Sequence, residues 1–438
     1  MAVKILVTGL CTVHWGRMEY GNIGNFYIIE PLFRELNRVF PEAEIVTTFQ
    51  MTQPFMEKER VTVLPMEIYY AWDADDVEKA EKEYAAAQDY ARCGELKNTT
   101  PYMEALKGVG LVIDFSGDMW GDNAEHVGQG RFLVDLLKMR TAQLMGKKAV
   151  LFGGTPGPFT DPKTLAFAKE VFRNFSLVVN REPTSSQNME NWGFPMGRVK
   201  DFACPAFLYT PELSAAQETE KRGILKGIGM DRPMVGFTIG GFNMPVGPYD
   251  LWPRGDSQYD VFAEAVEHIV NTLQARVVLF SHTNGFKTAP SFQLINGRDY
   301  PIIKQLQRIV YERGNIKDLS MVACIETPSV PPLMKSVIGD FDAVVTGRVH
   351  ASVAAISQCV PTVFINYEKR FIPSTKMYGF AQLAGLEEYV CEPKDISALR
   401  HKMDSCWKRR GEIHEHLSVR IPEIKELARQ AFDTLTNI

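Results

Sequence analysis

Short apolar runs alternate with helix-patterned stretches twice along this chain, and that alternation limits its fold more than any other feature. Lys4 to Thr8, Leu111 to Phe115, Lys148 to Phe152 and Leu177 to Val179 read as short buried strands. Ala43 to Thr48 and Val61 to Pro65 read as weaker ones. Ile23 to Val39, about Gly130 to Met145, Pro162 to Phe172 and Pro183 to Trp192 carry helical patterns between or after them. Strands separated by helices form a mainly parallel sheet, because a parallel neighbour is reached only through a crossover. Asp75 to Lys97, rich in Ala, Glu and Lys, reads as a solvated helix. From Thr210 to Gly229 the chain becomes polar, charged and Gly-containing, which marks an interdomain region.

A second series follows. Pro233 to Ile239, Arg276 to Ser281, Phe341 to Val345 and Thr362 to Ile365 read as strands. Val261 to Leu273, Ile302 to Glu312, Pro331 to Val337 and Ala351 to Gln358 read as the helices between them. At 438 residues the chain is too long for one ordinary core, so two domains are the natural division. The expected fold is α/β, with two Rossmann-like domains facing across a cleft, over 1–215 and 232–410. A helical tail over 411–438 can pack back on the first domain.

Composition removes several classes. A net charge of −5 gives no global basic field for nucleic acid, although a local cleft can still be basic. The seven cysteines are scattered and never form a C-x-x-C pair, so neither a disulfide framework nor a zinc site is suggested and a reducing cytoplasm fits. The first residues resemble a buried strand without a signal-peptide cleavage pattern. No stretch approaches the roughly 20 apolar residues of a transmembrane segment.

The richest chemistry lies at Thr346-Gly347-Arg348-Val349-His350-Ala351-Ser352-Val353, directly after the apolar run Phe341 to Val345. This arrangement puts a guanidinium and an imidazole at the carboxyl end of a strand and the start of a helix. Open α/β sheets bind ligands there, and helix N-termini favour anions. The next strand, Thr362 to Ile365, leads into Lys369, so a third cation is expected beside the first two. Arg348 and Lys369 suit a multiply charged anion, one as a bidentate fork and the other as a point charge. His350 can titrate near neutral pH. The bland alternative makes Arg348 a carbonyl cap and His350 an ordinary helix residue.

Other loops carry weaker signals. Gly21-Asn22-Ile23-Gly24-Asn25 lets backbone approach a ligand, with Asn22 and Asn25 as neutral hydrogen-bonding groups, but it matches no nucleotide motif. Asp114 to Asn123 holds three aspartates in nine residues. Its spacing is not that of an EF-hand, and no metal is called for. Asp118 and Trp120 suit saccharide recognition there, through a carboxylate and a stacking face, with helix capping by Asp122 or Asn123 as the alternative. Gly153 to Phe159 reads as a rigid turn. Arg181-Glu182 is either a local ion pair or a cleft-facing arginine. Ser281 ends the strand Arg276 to Ser281 and His282 stands just past it, where a lone histidine is more often structural than catalytic.

Taken in order, these pieces resemble the polysaccharide pyruvyl transferase family. The matching segments are Gly21 to Asn25, Ser116-Gly117-Asp118, the Gly153 to Phe159 turn, Arg181-Glu182 with Ser185, and Asp201 to Phe207. His282, Gly347 to Ala351 and Pro361 to Lys369 complete the series. The resemblance implies a fold similar to GT-B glycosyltransferases. It also implies transfer of a pyruvyl group from phosphoenolpyruvate, as co-substrate and with no cofactor, to a saccharide or lipid-linked glycan. By this match Arg348 and Lys369 hold the donor with Ser281 and His282 nearby, and His350 is the general acid. Asn22, Asn25, Asp118 and Trp120 face the acceptor. The family commonly has Asp where this chain has Asn25, so an acceptor base there is lost or moved to Asp118. Cytoplasmic work, peripheral attachment at the inner membrane face and homo-oligomerisation are all compatible. The rival classes are a nucleotide-sugar glycosyltransferase, with Glu368 as its ribose-binding acid, and a non-catalytic glycan-assembly protein.

Overall fold

The computed structural model describes residues 3–10, 17–96, 99–126, 128–244, 251–287, 293–366, 376–392 and 396–438. The chain divides into two compact units. Met1–Met18, Glu30–Pro205 and Leu427–Ile438 form the first, and Glu19–Ile29 with Ala206–Glu426 form the second. The helix Ile23–Val39 therefore gives its first turns to the second unit and the rest to the first.

The first unit is built on a seven-stranded sheet in the order β3-β2-β1-β4-β5-β6-β7. Its strands are β1 (Lys4–Thr8), β2 (Glu44–Thr47), β3 (Val61–Val63), β4 (Val109–Asp114), β5 (Lys148–Gly154), β6 (Leu177–Asn180) and β7 (Val199–Asp201). Every pairing is parallel. A parallel sheet is covered on both faces, which is why Ile5-Leu6-Val7 and Ala149 to Phe152 run apolar without alternation and are buried throughout. The closing segment Leu427–Ile438 belongs to this unit. Phe432 packs on Phe152 with ring centres 4.8 Å apart, and Arg38 donates to Asp433 at 2.7 Å.

Two sequence readings change here. Trp120 offers no stacking face to a sugar, because its side chain is 0% exposed. Phe132, Phe159, Phe172, Phe175 and Phe194 surround the indole, with ring centres 5.6 to 6.3 Å away. An aromatic surface of that size gains more from the core than from a polar loop. The stretch read as a solvated helix is helical from Asp76 to Cys93, but one of its faces is buried. Glu83 on that face pairs at 2.5 Å with Lys138, both nearly fully buried.

The second unit carries a six-stranded sheet in the order β12-β9-β8-β13-β14-β15. The strands are β8 (Met234–Thr238), β9 (Arg276–Leu279), β12 (Val322–Cys324), β13 (Ala343–Thr346), β14 (Thr362–Ile365) and β15 (Val390–Cys391). All are parallel. An antiparallel hairpin, β10 (Asn284–Lys287) with β11 (Gln293–Asn296), follows β9. β9, β8 and β13 are consecutive in the sheet, so the loops leaving their carboxyl ends gather at one place. Among the described residues no helix is long and apolar enough to cross a membrane.

Candidate functional site

The second unit brings Arg348, His350 and His282 together. β13 ends at Thr346, whose hydroxyl accepts the Arg348 N–H at 2.9 Å and turns the chain into the helix Val349–Ile356. Arg348 stands at the N-cap of that helix and His350 in its first turn. The Arg348 guanidinium is braced by the fully buried Asp299, to which Nη2 donates. It also lies over the half-exposed Phe242 ring, 5.9 Å from its centre. Asn243 ties the β8 loop to this turn by accepting the Gly240 N–H at 2.8 Å and donating to the Gly347 carbonyl at 3.2 Å.

His282 follows β9 and is buried, edge-on to Tyr27 with ring centres 5.6 Å apart. Burial above all, then the charges of Arg348 and His350, hold it well below the ordinary histidine value. It is therefore neutral beside two cationic or titratable groups. Its Nε2 has no hydrogen-bond partner among the described residues, and neither does Arg348 Nε. Buried polar atoms are normally paired, so these two atoms at one strand-end cluster are hydrogen-bonding capacity that their described neighbours leave unused. Ser281, read as a donor-binding residue, spends its hydroxyl on the Thr283 carbonyl at 2.6 Å and shapes the loop instead.

The asparagine loop joins this unit. Asn22 forms an isolated antiparallel bridge with Thr283, and Ile23 donates to the His282 carbonyl at 3.3 Å. Gly24 lies against His350: a Cβ there would stand 2.5 Å from the His350 Cβ and 2.9 Å from its Cγ. Asn22 and Asn25 thus belong with the His350 cluster rather than with the first unit. Asn22 Oδ1 accepts the Gly24 N–H at 3.2 Å, and its carbonyl accepts the Asn25 N–H at 2.9 Å. Lys369, the third expected cation, lies outside the described residues. β14, which leads to it, does pair with β13.

In the first unit the carboxyl ends of β1 and β4 hold a different group. Asp114 and Asp135 are both buried, and the Ser116 hydroxyl donates to Asp114 and lies 3.4 Å from Asp135. The Tyr69 hydroxyl donates to Asp135, and Arg131 donates to the Gly9 carbonyl. Burial first, and then the Asp135 charge, raise Asp114 well above the carboxylate range. Burial lifts Asp135 to about 6. Asp118, on the following turn, is partly exposed. Glu182 accepts from the Thr184 and Ser185 hydroxyls and from the Ser185 N–H at 3.2 Å, all in the first turn of the helix Thr184–Asn191, while Arg181 donates to Thr155 at 2.8 Å.

Asp299, Asn243, Tyr69, Arg131 and Asp135 escaped the sequence reading. Asp135 carried a usable signal, a lone carboxylate within Phe132-Leu133-Val134-Asp135-Leu136-Leu137. Asp299 looks like any acidic residue opening a helix, and only the tertiary contact distinguishes it.

Two parallel-sheet α/β units give the chain a GT-B-like fold. Its described fold is similar to Anabaena Alr3699/HepE solved in complex with UDP (TM-score 0.57, 11% identity, 100% of both chains). It is also similar to a glycosyltransferase from Rickettsia africae (TM-score 0.53, 9% identity, 98% of both chains). A third is the UDP-GlcNAc 2-epimerase of Methanocaldococcus jannaschii (TM-score 0.55, 11% identity, 92% of both chains). No curated protein matches the chain. The chain belongs to the polysaccharide pyruvyl transferase family, whose model matches residues 22–369.

Proposed function

We propose that this protein transfers a pyruvyl group from phosphoenolpyruvate to two hydroxyls of a saccharide or lipid-linked glycan, forming a cyclic ketal and releasing phosphate. The observation that carries the reading is the convergence of Arg348, His350 and the buried His282 at adjacent strand ends, within a chain of this family. Arg348 and Lys369 hold the donor's carboxylate and phosphate. His350, as imidazolium, gives a proton to the methylene carbon, and the double-bond electrons form the new C–H bond. The oxocarbenium-like carbon is attacked by one acceptor hydroxyl. Phosphate then leaves with its bridging oxygen, and the second hydroxyl closes the ketal. Of the two hydroxyl protons, one restores His350 and the other leaves with phosphate. Arginine and lysine stabilise the charge that develops on the leaving group. His282, being neutral, adds no third fixed charge and can hydrogen-bond the donor through Nε2. Ser281 supports the same loop, and Asn22, Asn25 and Asp118 are assigned to the acceptor. Trp120 is not.

Phosphate release from phosphoenolpyruvate, measured with a pool of lipid-linked glycan precursors, tests the assignment. His350→Ala should lose it by about 100-fold or more, and full retention sinks the general-acid role. Nucleotide-sugar glycosyl transfer is the competing reading, because a neighbour of the same fold was solved with UDP. A thermal-shift comparison separates the two: stabilisation by phosphoenolpyruvate and not by UDP-glucose supports pyruvyl transfer, and the reverse supports glycosyl transfer.

A further inference from the structure

We infer that Asp299 is a positioning residue that aims Arg348, and that Gly240 is the gap that lets it do so. The inference rests on the reading of Arg348 as the residue that grips the donor anion. A guanidinium and a carboxylate paired for their own sake usually meet as two forks, through two nitrogens and two oxygens. Here Nη2 of Arg348 donates to Oδ1 of Asp299, while Arg348 Nε and Asp299 Oδ2 have no partner among the described residues. The pair is therefore a one-point brace. It stops the guanidinium from swinging and leaves a buried donor of the fork uncommitted.

The brace is itself anchored. Asp299 opens the helix Asp299–Arg313, and its N–H donates to the Thr283 hydroxyl at 3.1 Å. The loop that carries His282 thus also fixes the residue that fixes Arg348. On the other side, a Cβ at Gly240 would lie 2.6 Å from Arg348 Nη2 and 2.6 Å from Asp299 Oδ1. Any side chain there would wedge the pair apart. Thr283 and Gly240 follow adjacent strands, so the brace spans the same strand ends as the proposed donor site.

Electrostatics and positioning predict opposite outcomes. If Asp299 acts only through its charge, Asp299→Asn removes a carboxylate beside the site and tightens binding of an anion. If it aims Arg348, the same change weakens binding, because a misaligned fork loses its bidentate grip. We expect the dissociation constant for phosphoenolpyruvate, measured by calorimetric titration, to rise at least about tenfold in Asp299→Asn. Gly240→Ala should give a similar loss by a second route. Asp299→Asn placed on Arg348→Ala should cause no further loss, because the brace then has nothing to aim. A readout independent of the donor is the rate at which phenylglyoxal labels Arg348, followed by peptide mass spectrometry. Released from its brace, Arg348 should label several-fold faster in both single variants. Unchanged or tighter donor binding, additive losses, or unchanged labelling each overturn the inference. A wild-type protein that ignores phosphoenolpyruvate, with Arg348 labelling still accelerated in the variants, would remove the donor reading and leave the brace standing. If Asp299→Asn does not fold, Gly240→Ala carries both readouts alone.

Discussion

Gly24→Ala should separate catalysis from stability at this site. The added Cβ would sit 2.5 Å from the His350 Cβ, 2.9 Å from Cγ and 3.0 Å from Nδ1. Ordinary contact begins at 3.4 Å, so His350 must retreat by about 0.9 Å. Rotation about χ1 gives no relief, because the closest atom is the His350 Cβ itself, rooted in the helix Val349–Ile356. Either that helix or the Asn22–Asn25 turn has to shift. Alanine is favoured over glycine inside a helix by roughly 0.5–1 kcal/mol. Overpacking costs about 1–3 kcal/mol. The net loss of stability is then modest, about 0–2.5 kcal/mol, and the melting temperature should fall by only a few degrees. A displacement near 1 Å at a reacting group can cost about 100-fold in rate. Phosphate release from phosphoenolpyruvate in the presence of acceptor should fall by that order while the protein stays folded by circular dichroism. A variant that keeps its rate within about threefold would show that His350 need not occupy this position. The reasoning would fail equally if activity were lost only in step with unfolding.

Other consequences can be measured without knowing the acceptor. His282 has a folded value well below the ordinary 6.5, so the unfolded chain binds a proton near that pH that the native chain refuses. Stability should therefore fall as pH drops below about 6.5, and His282→Gln should flatten the melting-temperature profile between pH 7 and 5. Asp114 and Asp135 act in the opposite direction. Both carboxyls are raised by burial, so the native protein keeps protons that the unfolded chain has lost above about 3.8, and the Asp135 contribution disappears as pH rises through about 6. Asp135→Asn should raise the melting temperature at pH 7 to 8 and change it little at pH 4. Trp120→Ala should cost about 3–5 kcal/mol by chemical denaturation; a variant of undiminished stability that lost only acceptor binding would return Trp120 to the site. Glu83→Ala leaves Lys138 buried without its 2.5 Å partner and should cost about 3–5 kcal/mol. The double change Glu83→Leu/Lys138→Met should recover most of that loss.

Much of this protein was legible from sequence because parallel sheets are covered on both faces. Their strands are unbroken apolar runs, and Lys4–Thr8, Ile23–Val39 and Thr362–Ile365 fall where patterning puts them. The Arg348–His350 motif was legible for a related reason, since a strand that stops in polar residues and enters a helix puts them at the ligand-binding end of the sheet in such a fold. Tertiary packing decided what each polar residue does there. Asp299 opens a helix like many carboxylates, yet it braces an arginine 49 positions away in the chain. Asn22 and Asn25 follow the first strand in sequence but belong to the unit that holds His350. Trp120 sits in a polar loop sequence and ends in the core, because the surrounding phenylalanines come from separate segments that meet only in the fold. Local patterning reports which side chains seek burial and where the backbone turns. Partnerships between distant residues depend on which strand ends lie side by side, and sheet order is settled by long-range packing rather than by any local run of residues.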